Sequence, residues 1–255
     1  MAYISWLTHP DNPVTLAGTT ITATTENASF PASNLKILPT TTVWRSTAIA
    51  SQQNIDIDFG SAKSADLIAA VNHNVTSVAS VLQVRAGTTA SVADFAESIT
   101  WREFLFFKRL SSQQSYRYWR LEILNTLNPD SYIEIGYLLL GSLTSPTFNF
   151  QYGWTSGIDF VNLEVASPYG VPNVDEKHRR QQVHMEFGPL TDTEMTALRT
   201  LYTTVKGARN PLIILPDREG SDAYFGRIIS QFNERIESQR YTSLTFEEDS
   251  YGNRR

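Results

Sequence analysis

Several places in the sequence group side chains that could do chemistry. Asp56 and Asp58 alternate with Ile55, Ile57 and Phe59, so one strand face would carry two carboxylates, with Asp66 close behind. Oxygen donors suit a hard cation such as Ca2+, but the spacing is not that of an EF-hand loop, and carboxylates facing water need no metal. His178 and His184 are six apart, which sets both on one face of a strand, yet a pair lacks the third and fourth ligands of a zinc site. Lys177-His178-Arg179-Arg180 is a basic run able to grip phosphate, a sugar acid or an acidic neighbour, and Glu247-Glu248-Asp249 is its complement. In a symmetric assembly, heterologous contacts join different patches of identical subunits, which makes Lys177, Arg179, Arg180, Glu247 and Glu248 candidate oligomer contacts. Unpartnered, they would be solvated charge runs. Of the tryptophans that could stack on a sugar, Trp119 sits among alternating apolar residues and reads as core, leaving Trp101 and Trp154 as exposed rings with no ligand role assigned.

Catalysis needs a nucleophile or general base held against a group that tunes it. The sequence has no Gly-x-Ser-x-Gly elbow, no His-Glu-x-x-His, no phosphate-cradling glycine loop and no cysteine. Its four histidines, His9, His73, His178 and His184, are scattered, and such residues are more often structural than ligands. The expectation is a protein that is not an enzyme and uses no cofactor and no metal.

Composition narrows the partners. Lys and Arg total 21 against 26 Asp and Glu, a formal charge of -5, so there is no global basic field to hold nucleic acid. Without cysteine there is neither a disulfide framework nor a thiolate metal site, which suits folding in a reducing cytosol. Met1 to Trp6 lacks a basic region followed by an apolar one, and no window approaches the ~20 apolar residues that span a bilayer, so no membrane insertion and no ordinary secretion are expected.

The elements that must position these residues are mostly strands. A chain of 255 residues with 41% hydrophobic content can bury a sizeable core in one or two domains. Ile55 to Gly60 and Tyr118 to Ile123 alternate apolar with polar, Leu67 to Val71 is continuous enough to be buried on both faces, and Ile133 to Gly141 closes the region. A β-sandwich accommodates so many half-buried strands. Composition changes after Ser145-Pro146, which places the boundary between residues 1–145 and 146–255. In the second part, Thr191-Asp192-Thr193-Glu194 is a capping box; Met195, Leu198, Leu201, Tyr202 and Val205 share one face; and Gly207 is a left-handed stop, predicting a helix over 192–206. Strands surround it at Gln182 to Phe187, Leu212 to Leu215, Tyr224 to Phe232 and Tyr241 to Phe246, so one helix laid on a barrel or sheet is expected.

Ala32-Ser33-Asn34-Leu35, Thr42-Val43-Trp44-Arg45-Ser46, Ile55-Asp56-Ile57-Asp58-Phe59-Gly60 and Tyr118-Trp119-Arg120-Leu121-Glu122-Ile123 follow one another as in the discoidin or galactose-binding-like sandwich, which the first half resembles. The resemblance implies that Trp44 is core. Gly188-Pro189-Leu190-Thr191, Leu198 to Tyr202, Tyr224-Phe225-Gly226-Arg227-Ile228 and Leu244-Thr245-Phe246-Glu247-Glu248 are similar to the barrel of phage tail and baseplate proteins, the distal tail protein family being the nearest. In that family the barrel commonly comes first and the carbohydrate-binding-like module second; here the order is reversed. The resemblance implies a structural component of a phage tail tip or baseplate, assembled in the host cytoplasm and located in the virion. It would form a ring, a homohexamer as tail tubes are six-fold, and connect tail-tube and tail-tip proteins. The alternative it implies is a carbohydrate-binding adhesin that contacts host surface glycans.

Overall fold

A computed structural model describes residues 4–151, 155–166, 172–216, 222–236 and 239–249, with the backbone alone described at 159–166, 172–173 and 175–179. In chain order its strands are β1 Ser5–Thr8, β2 Thr20–Ala23, β3 Trp44–Arg45, β4 Gln53–His73, β5 Ser80–Gly87, β6 Phe95–Ile99, β7 Leu105–Asn125, β8 Glu134–Gly141, β9 Thr155–Ala166 and β10 Pro172–Leu190. After helix α1 Asp192–Val205 come β11 Leu212–Leu215, β12 Tyr224–Ile228, β13 Arg235–Ile236 and β14 Arg240–Glu248. The protein is mostly β, and its contacts divide it into two compact units, His9–Thr144 and the combination of Met1–Thr8 with Ser145–Arg255. The division expected from sequence differs at the start of the chain, because β1 pairs antiparallel with β11, Ser5 opposite Leu215 through Thr8 opposite Leu212. Ile4 and Trp6 are buried in the core of that second unit.

The first unit is a β-sandwich with strand order β3-β8-β4-β7-β5-β6 and β2 added to β4. Its two long strands serve both layers. Gln53 to Asp58 of β4 pairs with Tyr118 to Ile123 of β7 and with β2, whereas Leu67 to Val71 pairs with Leu105 to Arg109 and with β8. Register shifts after Asp58 and after Ala65 mark the bend between the halves, and Gly60, at φ 72, supplies left-handed backbone there. Alternation then does the rest: Ile55, Ile57, Trp119, Leu121 and Ile123 from one half meet Ile68, Ala70, Phe106, Leu138 and Leu140 from the other in a shared core with Trp44. The run Leu67 to Val71 is buried at every position, as a strand covered on both faces must be.

In the second unit the order is β1-β11-β12-β14-β10-β9, with β13 beside β14. Among the described residues no pairing joins β1 to β9, and one helix beside a sheet is one of the two forms, barrel or sheet, that the sequence suggested. Helix α1 starts as expected: the Thr191 hydroxyl accepts from the Glu194 amide, and the Glu194 carboxylate accepts from the Thr191 amide at 2.8 Å. Met195, Leu198, Leu201 and Val205 are buried, with Tyr202 packed beside them. The stop comes one residue early, with Lys206 already left-handed at φ 56 before Gly207 at φ 63.

Candidate functional site

The outer face of the sandwich, where β2, β4 and β7 lie side by side, carries a polar groove. Register places Thr20 beside Asp58 and Asp58 beside Tyr118, then Thr22 beside Asp56 and Asp56 beside Arg120. Because side chains alternate, the same register that buries Ile57 and Trp119 turns these residues outward. Each carboxylate has a cation: the Arg120 Nε donates to Asp56 at 2.6 Å, and Arg117 donates to both oxygens of Asp58 at 2.7 and 2.8 Å. The Arg117 guanidinium also lies 4.7 Å from the centre of the Tyr118 ring. Hydrogen bonding from Arg117, joined by the Gly60 amide, holds the Asp58 carboxyl below its usual range.

The loop between β5 and β6 walls the groove with Ala90 and Val92, enclosing about 240 Å3. That wall is braced internally. The Asp94 carboxylate accepts from the Thr88 amide at 2.7 Å and its hydroxyl at 2.9 Å, and Val92 is 1% exposed despite a φ of 48. Gly87 is needed beneath it, since a Cβ there would lie 2.9 Å from the Val92 Cα. Inside, the hydroxyls of Thr20 and Thr22 have no hydrogen-bond partner among the described residues. The groove therefore offers free hydroxyls, two carboxylates paired with arginines, and the face of a tyrosine, a set that fits a neutral, hydroxyl-rich ligand.

The other residues singled out in the sequence are placed as follows. Asp66 accepts from the Leu143 amide at 2.7 Å, away from the Asp56 and Asp58 pairs, and no group of three metal-ligating side chains exists among the described residues. Trp44 and Trp119 are fully buried, Trp101 is half-buried and donates to the Val75 carbonyl at 2.8 Å, and Trp154 lies outside the described residues. His184 meets the Thr245 hydroxyl at 3.1 Å; the side chains of Lys177, His178 and Arg179 lie outside the description. Arg180 and Glu247, two of the expected subunit contacts, are partners of each other. They pair at 2.7 Å within one chain, because β10 and β14 are neighbours and Gln182 is opposite Glu247. Glu248 is half-buried, and burial, helped by the charge of Asp249, pushes its carboxyl up to about 7. Tyr118 and Arg120 flank Trp119, whose burial marks the core face of the strand; the alternation of Tyr118, Arg120 and Glu122 is the sequence signal that sets them on the outer face.

A second polar cluster sits at one end of the sandwich. Arg45 lies between the rings of Phe30 and Tyr132, at 4.3 and 4.2 Å, and donates to the buried Glu134 at 2.6 Å. Its guanidinium is held on both faces and along one edge, which makes it a clamp between the loop after β2 and the start of β8.

No family model matches the sequence, and no curated protein does. Solved structures do resemble it over about half of the chain. Chitosan-binding module 1 of a chitosanase/glucanase from Paenibacillus sp. IK-5 has 17% identity and a TM-score of 0.41, covering 51% of this chain and 97% of that one. The family 32 carbohydrate-binding module of Clostridium perfringens NanJ, solved with galactose, has 16% identity and a TM-score of 0.41, covering 55% and 99%. A module from the same organism solved with GalNAc-beta-1,3-galactose has 13% identity and a TM-score of 0.41, covering 53% and 99%.

Proposed function

We propose that the chain is a non-enzymatic binding protein whose sandwich unit holds a glycan in the groove over β2, β4 and β7. The observation that carries this reading is the braced groove itself, in which a tyrosine face, paired charges and two free hydroxyls are already positioned before any ligand arrives. The arrangement suits holding rather than cleaving. Both carboxylates are engaged by arginines, Asp56 by Arg120 and Asp58 by Arg117, and present acceptors to a ligand's hydroxyls. The test is a glycan array probed with the full chain beside Tyr118→Ala and Asp56→Ala variants. Binding by the parent and its loss in both folded variants supports the site; no bound glycan, or binding unchanged by both substitutions, overturns it.

A second reading concerns the other unit: a structural component of a phage tail tip or baseplate, located in the virion. It is favoured by the long β9–β10 pair, which leaves Ile158 63% and Val174 51% exposed where a neighbouring subunit could cover them. Antibody labelling of purified tails in the electron microscope tests it, and particles that lack the chain sink it.

A further inference from the structure

The row of side chains that crosses the groove does not end at β7. Register sets Thr22 beside Asp56, Asp56 beside Arg120, Arg120 beside Arg85 and Arg85 beside Ala96. Val84 and Ala86, on either side of Arg85, are in the core, as are Trp119 and Leu121 around Arg120, so both arginines stand on the outer face. The row crosses five strands, β2, β4, β7, β5 and β6. At about 4.8 Å between strands it is roughly 19 Å long, more than a single sugar ring covers. Ala96, on the edge strand β6, is too small to close its far end.

Arg120 and Arg85 are like charges directly opposed on neighbouring strands, an arrangement that destabilises a sheet unless something neutralises it. Within the chain the neutralisation is incomplete. Arg120 gives its Nε to Asp56 at 2.6 Å, and its two terminal nitrogens donate to no protein atom among the described residues. Arg85 has less. Its nearest carboxylate, Glu122, is 3.8 Å from its Nε, beyond hydrogen-bond reach, and that Nε is buried with no partner among the described residues. Arg117 is the contrast, donating to both oxygens of Asp58 at 2.7 and 2.8 Å. Two guanidiniums thus keep their terminal nitrogens free side by side, next to a groove already suited to sugar. A planar fork of N–H donors matches the oxygens of a carboxylate or a sulfate. We infer that the β5 side of the groove is a second subsite, formed by Arg85 with Arg120, for the acidic substituent of a glycan: the ring in the groove proper is neutral, and its neighbour carries a carboxylate or a sulfate. The inference rests on the reading of the groove as a glycan site and adds the class of glycan.

The test is titration calorimetry of the full chain with oligosaccharides in matched pairs that differ only in the acid: oligogalacturonides beside their methyl esters, sialylated glycans beside the same glycans after sialidase, and sulfated galactans beside desulfated ones. In at least one pair the acidic member should bind roughly ten- to a hundredfold more tightly, as one charge-assisted hydrogen bond or two would give, and the pair that responds tells carboxylate from sulfate. The advantage should shrink as salt is added. Arg85→Gln should bring the acidic-to-neutral ratio close to one. Glu122→Gln removes the carboxylate that competes for Arg85 and should widen the ratio several-fold, so the question stays decidable even if circular dichroism shows the first variant unfolded. Neutral members bound as tightly as acidic ones by the unmodified chain overturn the acidic subsite and leave the groove reading standing. An acidic preference that neither substitution moves places the anion elsewhere and also overturns it, and binding to neither member of any pair overturns both readings.

Discussion

The two units close the ends of their strands in different ways. In the sandwich, buried asparagines do most of it, beside the single Arg45–Glu134 clamp: Asn12 donates to the Leu138 carbonyl at 2.9 Å and accepts from the Leu140 amide, Asn72 donates to the Thr40 carbonyl at 2.7 Å, and Asn125 ties Thr76 and Val78 to the end of β7. In the second unit, ions do it. Glu234 takes both Arg199 and Arg240, Arg240 also reaches Asp192 at the start of α1, and Arg227 holds Asp249. Buried neutral amides cost little to desolvate once every donor and acceptor is matched, so they can close a dry end. Ion pairs at a wet perimeter are weaker and depend on salt and on protonation. The sandwich can therefore present a stiff groove, while the second unit's joints respond to their surroundings.

Four measurements would break or sharpen this contrast. Trp119→Ala removes the side chain at the centre of the sandwich core and should cost about 3–5 kcal/mol in urea denaturation, with the second unit's transition unchanged. Loss of both transitions together would show that the units are not independent. Leu201→Ala on α1 is the matching change in the second unit and should cost about 2–4 kcal/mol there; a negligible effect would mean that α1 contributes little to that core.

Acidity should move the two units in opposite directions. Burial lowers His73 from 6.5 to about 4, so below pH 6.5 the unfolded chain binds a proton that the folded sandwich refuses. Sandwich stability therefore falls as the pH drops from 6.5 towards 4. Glu248 is the reverse case. With its folded value raised from 4.5 to about 7, its contribution is complete below 4.5 and is lost as the pH rises through 7. Each effect is on the order of 3 kcal/mol. Calorimetry between pH 4 and 8 would show the two transitions converging or diverging; parallel shifts would refute the assignment, and Glu248→Gln should flatten the second unit's response. The smallest effect belongs to Thr191→Ala, about 1 kcal/mol through loss of the helix cap, read from the same denaturation curves.

What the sequence determined by itself was local. Alternation at Ile55 to Phe59 and at Tyr118 to Ile123 specified strands and their buried faces, and the capping box at Thr191 specified where α1 begins, because each signal lies within a few residues of what it predicts. The tertiary structure decided the rest. Ser5 to Thr8 is too short for its pattern to announce a partner as distant as Leu212 to Leu215. The groove needed the register of three strands to bring Thr20, Asp58 and Tyr118 into line. Arg180 and Glu247 lie far apart in sequence, and the pairing of β10 with β14 brings them within 2.7 Å of each other. Strand pairing carries no local period of its own, so which edges meet, and which side chains then share a surface, is settled only when the whole sheet closes over its core.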